Sequence, residues 1–324
     1  MNLHENPSDF QDAINATSKD LGIREVYIEK DYWVSYVLWK LSLSTHSKYF
    51  VFKGGTSLSK AHKIIYRFSE DIDLSVLASN MTDAKIKSLI SKVANEITGD
   101  ALPEKKVAGL TNKFGTSRAT VHSYPSIVAS KNFESVSDQI FIEINSFTEP
   151  APNQKVRIKS MIGEFLEKRN NTQLVKEFNL RSFEVQVLDL RVTFIEKILA
   201  LCYASFEDGK SLGEKTRKVV RHFYDLTAMQ TSPDLKKFPS DSKMKEMITK
   251  IRKSERLESR TKWADRKLIE CHLFENIENS LKSIESYYKT ELAPLVFRKS
   301  DMISFNEVKK TFKKIQKFLI EHNL

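Results

Sequence analysis

The sequence predicts an α/β (α+β) protein: a mixed-sheet core with helices before it and a helical domain after it. Three observations predict this. Only 9 glycines and 8 prolines occur in 324 residues; glycine therefore sits at under half its usual share of about 7%, so breakers are few and regular elements long. Short apolar or alternating runs of strand character fall between residues 50 and 147, separated by amphipathic stretches. Towards the C-terminus only helical periodicity is left. With 40% hydrophobic and 29% charged residues, the chain can bury a sizeable core, which excludes a disordered protein. The scarcity of turn residues argues against an all-β sandwich or barrel.

Residues 8–44 read as two helices, the second running from Arg24 to Leu43 with Val26, Tyr27, Val34, Val37, Leu38 and Leu41 as its apolar positions. Phe50 to Phe52 is a short apolar strand that runs into Lys53-Gly54-Gly55. Residues 56–65 read as a helix, with Thr56 or Ser57 as its N-cap and Leu58, Ala61, Ile64 and Ile65 at helical spacing. Asp71 to Val76 is a strand, Thr82 to Thr98 an amphipathic helix, and Ala119–Tyr124 and Gln139–Phe147 two further strands. Pro150 and Pro152 punctuate the end of this region. After a basic linker come helices capped by Asp189 and running to Phe206, then Glu214–Met229, Lys243–Arg256, Lys262–Tyr288 and Met302–His322. In the last, Phe305, Val308, Phe312, Ile315 and Leu319 form an apolar stripe, with Lys309, Lys310, Lys313, Lys314 and Lys317 on the other faces. The expected division is 1–44 as an N-terminal helical segment packing on the core, 45–185 as the core, and 186–324 as a basic helical domain that completes the site.

The net charge of +10 is unevenly placed. Residues 1–209 carry 26 Lys+Arg against 26 Asp+Glu, and residues 210–324 carry 26 against 16. The whole excess lies in the C-terminal third, where a polyanion is the natural partner. The longest apolar run, Ile198 to Phe206, is 9 residues, while a spanning helix needs about 20. The first twelve residues hold Glu5, Asp9 and Asp12 and no apolar stretch, unlike a signal peptide. Cys202 and Cys271 are too few for a disulfide framework or a zinc cluster and read as free buried thiols. A cytoplasmic protein fits.

The chemistry is carried by two neighbouring motifs. Gly54-Gly55-Thr56-Ser57 stands between a strand and a helix start. Glycines let backbone N–H groups approach a phosphate, a helix start favours an anion, and the two hydroxyls add donors. Alone, such a turn is an ordinary tight turn as readily as a phosphate site. Thirteen residues, Leu58 to Glu70, separate Ser57 from Asp71-Ile72-Asp73. Residues two apart on a strand share a face, so both carboxylates project together and repel unless a cation sits between them. Hard divalent ions such as Mg²⁺ take oxygen ligands of this kind. Alone, the pair is equally a solvated strand end. Strand, Gly-Gly-Thr-Ser turn, helix and Asp-x-Asp strand in that order form the layout of the nucleotidyltransferase superfamily.

Phe50-Val-Phe-Lys-Gly-Gly-Thr-Ser-Leu-Ser-Lys60, followed by Arg67-Phe-Ser-Glu-Asp-Ile-Asp-Leu74, closely resembles the AbiEii/AbiGii-type nucleotidyltransferase toxins of bacterial toxin–antitoxin and phage abortive-infection systems. Ile28-Glu-Lys-Asp-Tyr-Trp-Val34 resembles that family's N-terminal helix motif, Leu190 to Leu201 its central helix with a functional lysine, and Arg221-His-Phe-Tyr-Asp-Leu226 its arginine-to-aspartate motif. The resemblance runs from about residue 25 to 230. It implies that Asp71 and Asp73 bind Mg²⁺, two ions being expected. It implies that Gly54, Gly55, Thr56 and Ser57 hold the phosphates of an NTP, that Lys197 contacts the triphosphate, and that Asp225 completes the catalytic set. Lys60 and Arg67, with Lys53, flank the turn and would assist. Glu143, alternating with Ile142 and Ile144, is the candidate third carboxylate, with a structural role equally open.

Other readings stand beside these. Lys197 lies among Phe194, Ile195, Ile198 and Leu199, where a lysine is costly to bury unpaired, so it is either paired or snorkels from the rim. Arg221 and Asp225 are one turn apart and can form a plain intrahelical ion pair. His222 reads as a hydrogen-bonding structural histidine rather than an acid–base group. Lys30 and Asp31 either pair with the site or cap packing. Ser57 is a site of regulatory phosphorylation by analogy only.

The activity implied is transfer of a nucleoside monophosphate to RNA, most plausibly the tRNA 3′ end, inhibiting translation and growth, with the basic helices gripping RNA. The same residues serve transfer to a protein or small-molecule hydroxyl, and a binder with a decayed site is the non-enzymatic alternative. A cognate antitoxin is the implied partner, with repression of transcription as an alternative to stable binding.

Overall fold

The structure is a computed structural model that describes residues 2–69, 71–128, 138–147, 150–209, 211–237, 242–257 and 262–324, with backbone alone at 242 and 255–257. Glu70, within the aspartate motif, lies outside the described residues. The chain forms two units, one of Met1–His62 with Phe68–Leu188, the other of Lys63–Arg67 with Asp189–Leu324.

The first unit is built on a mixed eight-stranded sheet, the fold class the sequence predicts. Its elements run α1 (Pro7–Leu21), α2 (Glu25–Leu43), β1 (Phe50–Lys53), α3 (Gly54–Lys60), β2 (Ile72–Val76), α4 (Asp83–Thr98), β3 (Glu104–Lys105), β4 (Asn112–Phe114), β5 (Ser117–Ser123), β6 (Gln139–Asn145), β7 (Asn153–Ile158), α5 (Met161–Lys168), α6 (Thr172–Glu177) and β8 (Phe183–Leu188). The strand order is β3-β5-β6-β2-β1-β8-β7, with β4 also on β5. β1 and β2 are antiparallel, while β1–β8 and β2–β6 are parallel. β1 is apolar on both faces, with Val51 and Phe52 fully buried, whereas β2 buries Ile72 and Leu74 on one face and carries Asp73 and Ser75 on the other. α2 is buried around its circumference by Trp33, Val34, Val37 and Leu38.

The stretch expected to be a linker contributes two strands and two helices. β7 reads Asn-Gln-Lys-Val-Arg-Ile and is half exposed at the sheet edge, so its composition hides its pairing. β3 and β4 are two and three residues long and wholly exposed, which leaves no periodicity to read. The helix expected over 56–65 begins instead at Gly54 and ends at Lys60, with Lys53 as its N-cap; Lys63 then takes φ +53° and turns the chain.

From Asp189 on, the second unit is mainly helical, with α7 (Leu190–Asp208), α8 (Glu214–Lys218), α9 (Arg221–Met229), α10 (Pro233–Lys236), α11 (Ser242–Leu257), α12 (His272–Glu275), α13 (Ile277–Leu292) and α14 (Phe305–Glu321), and Arg67 of its non-helical segment Lys63–Arg67 forms a β-bridge with Val296. Asp189 caps α7, its carboxylate accepting from Arg191 N at 2.8 Å. α8, α9, α11 and α12 all pack on α7. Two helices expected as single are broken. Glu214–Met229 is interrupted at the β-branched pair Val219-Val220. Lys262–Tyr288 is interrupted at Cys271, which is extended at φ −71°, ψ 144°, and at Asn276. On α14 the predicted stripe is buried, and Phe312 stacks on Phe223 at 4.5 Å.

Gly163 sits in the first turn of α5, where an added Cβ would lie 2.6 Å from Leu180 O, a backbone atom that cannot swing away. Gly163→Ala is therefore expected to cost about 1–3 kcal/mol, read as a lower urea midpoint at unchanged m-value.

Candidate active site

In the first unit the Gly-Gly-Thr-Ser turn and the aspartate pair are locked together. β1 and β2 pair in the register Lys53↔Asp73, so the turn leaving β1 starts opposite the second aspartate. Gly54 has φ +75°, a region L side chains rarely adopt. Its missing side chain is also required for space: a Cβ at Gly54 would lie 1.9 Å from Asp73 Oδ2 and 2.8 Å from its Cγ. The Asp73 carboxylate thus lies directly against the turn's backbone. Thr56 Oγ1 donates to Asp71 O at 2.5 Å and lies 3.1 Å from Ser69 Oγ. Ser57 Oγ donates to Gly54 O at 2.9 Å. Both hydroxyls are buried and hold carbonyls of the turn and of the aspartate segment; Ser57, the analogy-based phosphorylation candidate, is 0% exposed.

Asp71 stands one residue before β2 and Asp73 within it, both half-buried, with Ile72 and Leu74 facing the core. Glu143 on β6 is in register with Asp73. Paired residues on neighbouring parallel strands share a face about 4.8 Å apart. Asn145 Nδ2 donates to Glu143 Oε1 at 2.9 Å. Among the described residues no group of three or more His, Cys, Asp or Glu side chains is gathered closely enough to hold a metal alone. Lys60, at the end of α3, donates to Asp31 Oδ1 at 2.6 Å, and its side chain is 6% exposed.

The second unit holds the other candidates in one buried cluster. Asp225 on α9 is 0% exposed. Arg67 grips it in bidentate fashion, Nε to Oδ1 at 2.7 Å and Nη2 to Oδ2 at 2.6 Å. Lys197 on α7 reaches Oδ2 at 2.9 Å. Arg67, expected beside a nucleotide, is 3% exposed and gives two of its donors to this carboxylate. Asp225 therefore pairs with Arg67 and Lys197, where sequence spacing offered Arg221. Lys197 is paired rather than snorkelling. No signal in one sequence could have linked residues 67 and 225.

Burial pushes the Asp225 carboxyl up, but the Arg67 and Lys197 charges and the Arg67 hydrogen bonds outweigh it and hold the group well below the usual carboxylate range. His222 Nδ1 lies 3.3 Å from Lys197 Nζ and 4.0 Å from Asp225 Oδ2. Burial first, then the Lys197 charge, push His222 well below its ordinary 6.5, against the pull of Asp225. A neutral ring accepts from the ammonium and fixes its direction. Tyr224 donates to Asp301 O at 3.0 Å, and burial raises its hydroxyl to about 12.

The sequence profile of the AbiEii nucleotidyl transferase toxins of type IV toxin–antitoxin systems matches residues 36–314. The chain belongs to that family, and the resemblance drawn from its motifs is borne out. It is a nucleotidyltransferase toxin by family, and a toxin of this type implies a cognate antitoxin. Among solved structures it is similar to MenT4, a nucleotidyltransferase toxin from Mycobacterium tuberculosis H37Rv. That similarity has 12% identity and a TM-score of 0.41, covering 84% of this chain and 98% of that one. Comparison with curated proteins gives no match. No helix among the described residues is long and apolar enough to cross a membrane.

Two expectations follow. Gly54→Ala must move either the turn or the Asp73 carboxylate, and with the positive φ it should cost about 1–3 kcal/mol, measured by urea unfolding. The second concerns pH. A histidine depressed in the native state adds stability that is complete above about 6.5 and is lost as pH falls towards the native value, because only the unfolded chain takes the proton. Wild type should lose stability against His222→Asn between pH 7 and 5.5, at up to about 1.4 kcal/mol per pH unit. A pH-independent difference would show that His222 carries no shift.

Proposed function

We propose that this protein transfers a nucleoside monophosphate from an NTP to an RNA acceptor, the 3′ end of tRNA, and so inhibits translation and growth in the cytoplasm. One observation carries the reading: the Asp73 carboxylate lies against Gly54 at the start of the Gly-Gly-Thr-Ser turn. A triphosphate seated on this turn would bring its oxygens to a carboxylate. Like charges at that distance need a cation between them. Two carboxylates completed by substrate phosphates are a donor set that Mg²⁺ takes. Asp71 and Asp73 would hold it, and Glu143, in register with Asp73, is the residue to add a further ligand. When bound, the metal would neutralise charge on the triphosphate. Two ions are part of the proposal.

The chain's own residues position the substrate. Gly54 and Gly55 present backbone, while Thr56 and Ser57 hold the turn's shape through the Asp71 and Gly54 carbonyls. The acceptor hydroxyl oxygen bonds to the α-phosphorus, the bond from that phosphorus to the bridging oxygen breaks, and pyrophosphate leaves; the hydroxyl proton passes to solvent. Lys197 is assigned to the triphosphate's charge, held in direction by Asp225 and His222. The RNA acceptor is supported by the C-terminal charge excess. On α14, Lys310 and Lys314 are exposed, while Lys309, Lys313 and Lys317 pair with Glu285, Glu278 and Glu321. Surface pairs of this kind are worth about 0–1 kcal/mol and can be exchanged for phosphates.

Purified protein with Mg²⁺, each labelled NTP in turn and total bacterial RNA should label a tRNA-sized band. Asp71→Ala should lower that labelling by about 10²-fold or more. Label on protein or a small molecule instead would replace the RNA acceptor with the hydroxyl-modifying alternative. No transfer to any acceptor would overturn the proposal.

A further inference from the structure

Of three consecutive charged residues of α2, two are buried and the third is nearly so. Glu29 and Lys30 are 0% exposed, and the Asp31 side chain is 9% exposed. Taking an ion out of water costs several kcal/mol unless it is well paired. Successive helix residues point about 100° apart, so only a helix buried around its circumference can use three in a row, and each of these serves a different segment. Glu29 accepts from Ser126 Oγ at 2.8 Å and from Ile127 N at 2.7 Å, just beyond β5. Lys30 Nζ donates to the carbonyl of Gln139, the first residue of β6, and lies 5.5 Å from the Tyr124 ring centre. Asp31 Oδ1 accepts from Lys60 Nζ at 2.6 Å, and its Oδ2 accepts from Met161 N at 2.7 Å, where α5 begins. Lys60 Nζ also reaches Lys159 O at 3.3 Å.

Two of these tethers end on the elements that carry the candidate site. Lys60 closes α3, one turn after Ser57. Gln139 opens β6, four residues before Glu143. α3 has 7 residues, far fewer than the roughly 12–15 an isolated helix needs to be even marginally stable, so something outside it must hold it. The triplet lies before the residues matched by the family profile.

We propose that Asp31 and Lys60 are a positioning pair: their buried ion pair fixes α3, and with it the Gly54-Gly55 turn, while Lys30 fixes the start of β6. The proposal rests on the nucleotide site proposed above. Lys60, which the sequence placed beside the phosphates, then acts through α3 and touches no phosphate. Its ammonium is already neutralised by a carboxylate and bonded to a carbonyl, and it is nearly closed to solvent.

The test compares wild type with Asp31→Asn, Lys60→Met and the double variant by amide hydrogen exchange over residues 54–60 and by steady-state kinetics in NTP. Each single variant should speed exchange across α3 and raise KM for NTP about tenfold while kcat stays within about threefold. The double should be no worse than the worse single, since either change frees the same turn. A purely structural role would lower the melting temperature and leave KM of the folded variants alone, which would overturn the proposal. So would unchanged α3 exchange in both single variants. A KM raised by Lys60→Met but not by Asp31→Asn would make Lys60 a direct phosphate ligand and also overturn it. Should Asp31→Asn not fold, hydrogen exchange across α3 in Lys60→Met decides: faster exchange supports the tether and unchanged exchange overturns it, while Asp31 keeps its bond from Met161 N. Should wild type transfer no nucleotide, the proposed function fails, and α3 exchange still decides the tether.

Discussion

A carboxylate oxygen occupies the place where any side chain at residue 54 would begin, and the first unit's candidate site depends on that fact. Gly54 has neither the φ nor the space for a Cβ. The approach follows from strand pairing: with Lys53 opposite Asp73, a turn that starts at Gly54 must start beside the aspartate. Thr56 then bonds to the Asp71 carbonyl and closes the same loop from the other side. The strand register, the glycine and the acid pair are one unit of design, since none holds its position without the other two.

The second unit solves the opposite problem. There an acid is buried among bases, and Arg67 and Lys197 against Asp225 leave one positive charge beside a neutral His222. The fork of Arg67 satisfies both carboxylate oxygens, which a lysine at 67 could not do. Such a cluster is tolerated because every charge has a partner; taking away the anion would leave two uncompensated cations in a buried place. A lysine held this way has one orientation and little entropy left to lose.

Much of this was legible in the sequence, because its strongest signals are local. Phe50–Lys53, the adjacent glycines and Asp71-Ile72-Asp73 each state their own geometry through period-two alternation and glycine's special backbone freedom. The stripe on α14 and the cap at Asp189 could be read for the same reason. What sequence spacing hides is pairing at a distance. Asp225 offered Arg221 one turn away, yet it took Arg67. Lys60 follows the turn in sequence, and nothing in that spacing shows that a carboxylate on α2 reaches it. β7 was missed because an edge strand can afford Lys and Arg on its exposed positions, and Gly54 begins α3 because the turn is itself the helix's first turn.

The segment Lys63–Arg67 belongs with residues that come much later in the chain. Arg67 and Asp225 are separated by 158 positions, which at ribosomal speeds of about 5–20 residues per second is a delay of roughly 8–32 s. For that interval Arg67 exists in the chain without its acid. The last pieces of the cluster are thus synthesised well after the first, and a ribosome that stops before α9 releases a polypeptide with the glycine turn and the aspartate pair and without the anion that Arg67 and Lys197 share. The topology lets this cluster of the second unit close only once α9 has been made.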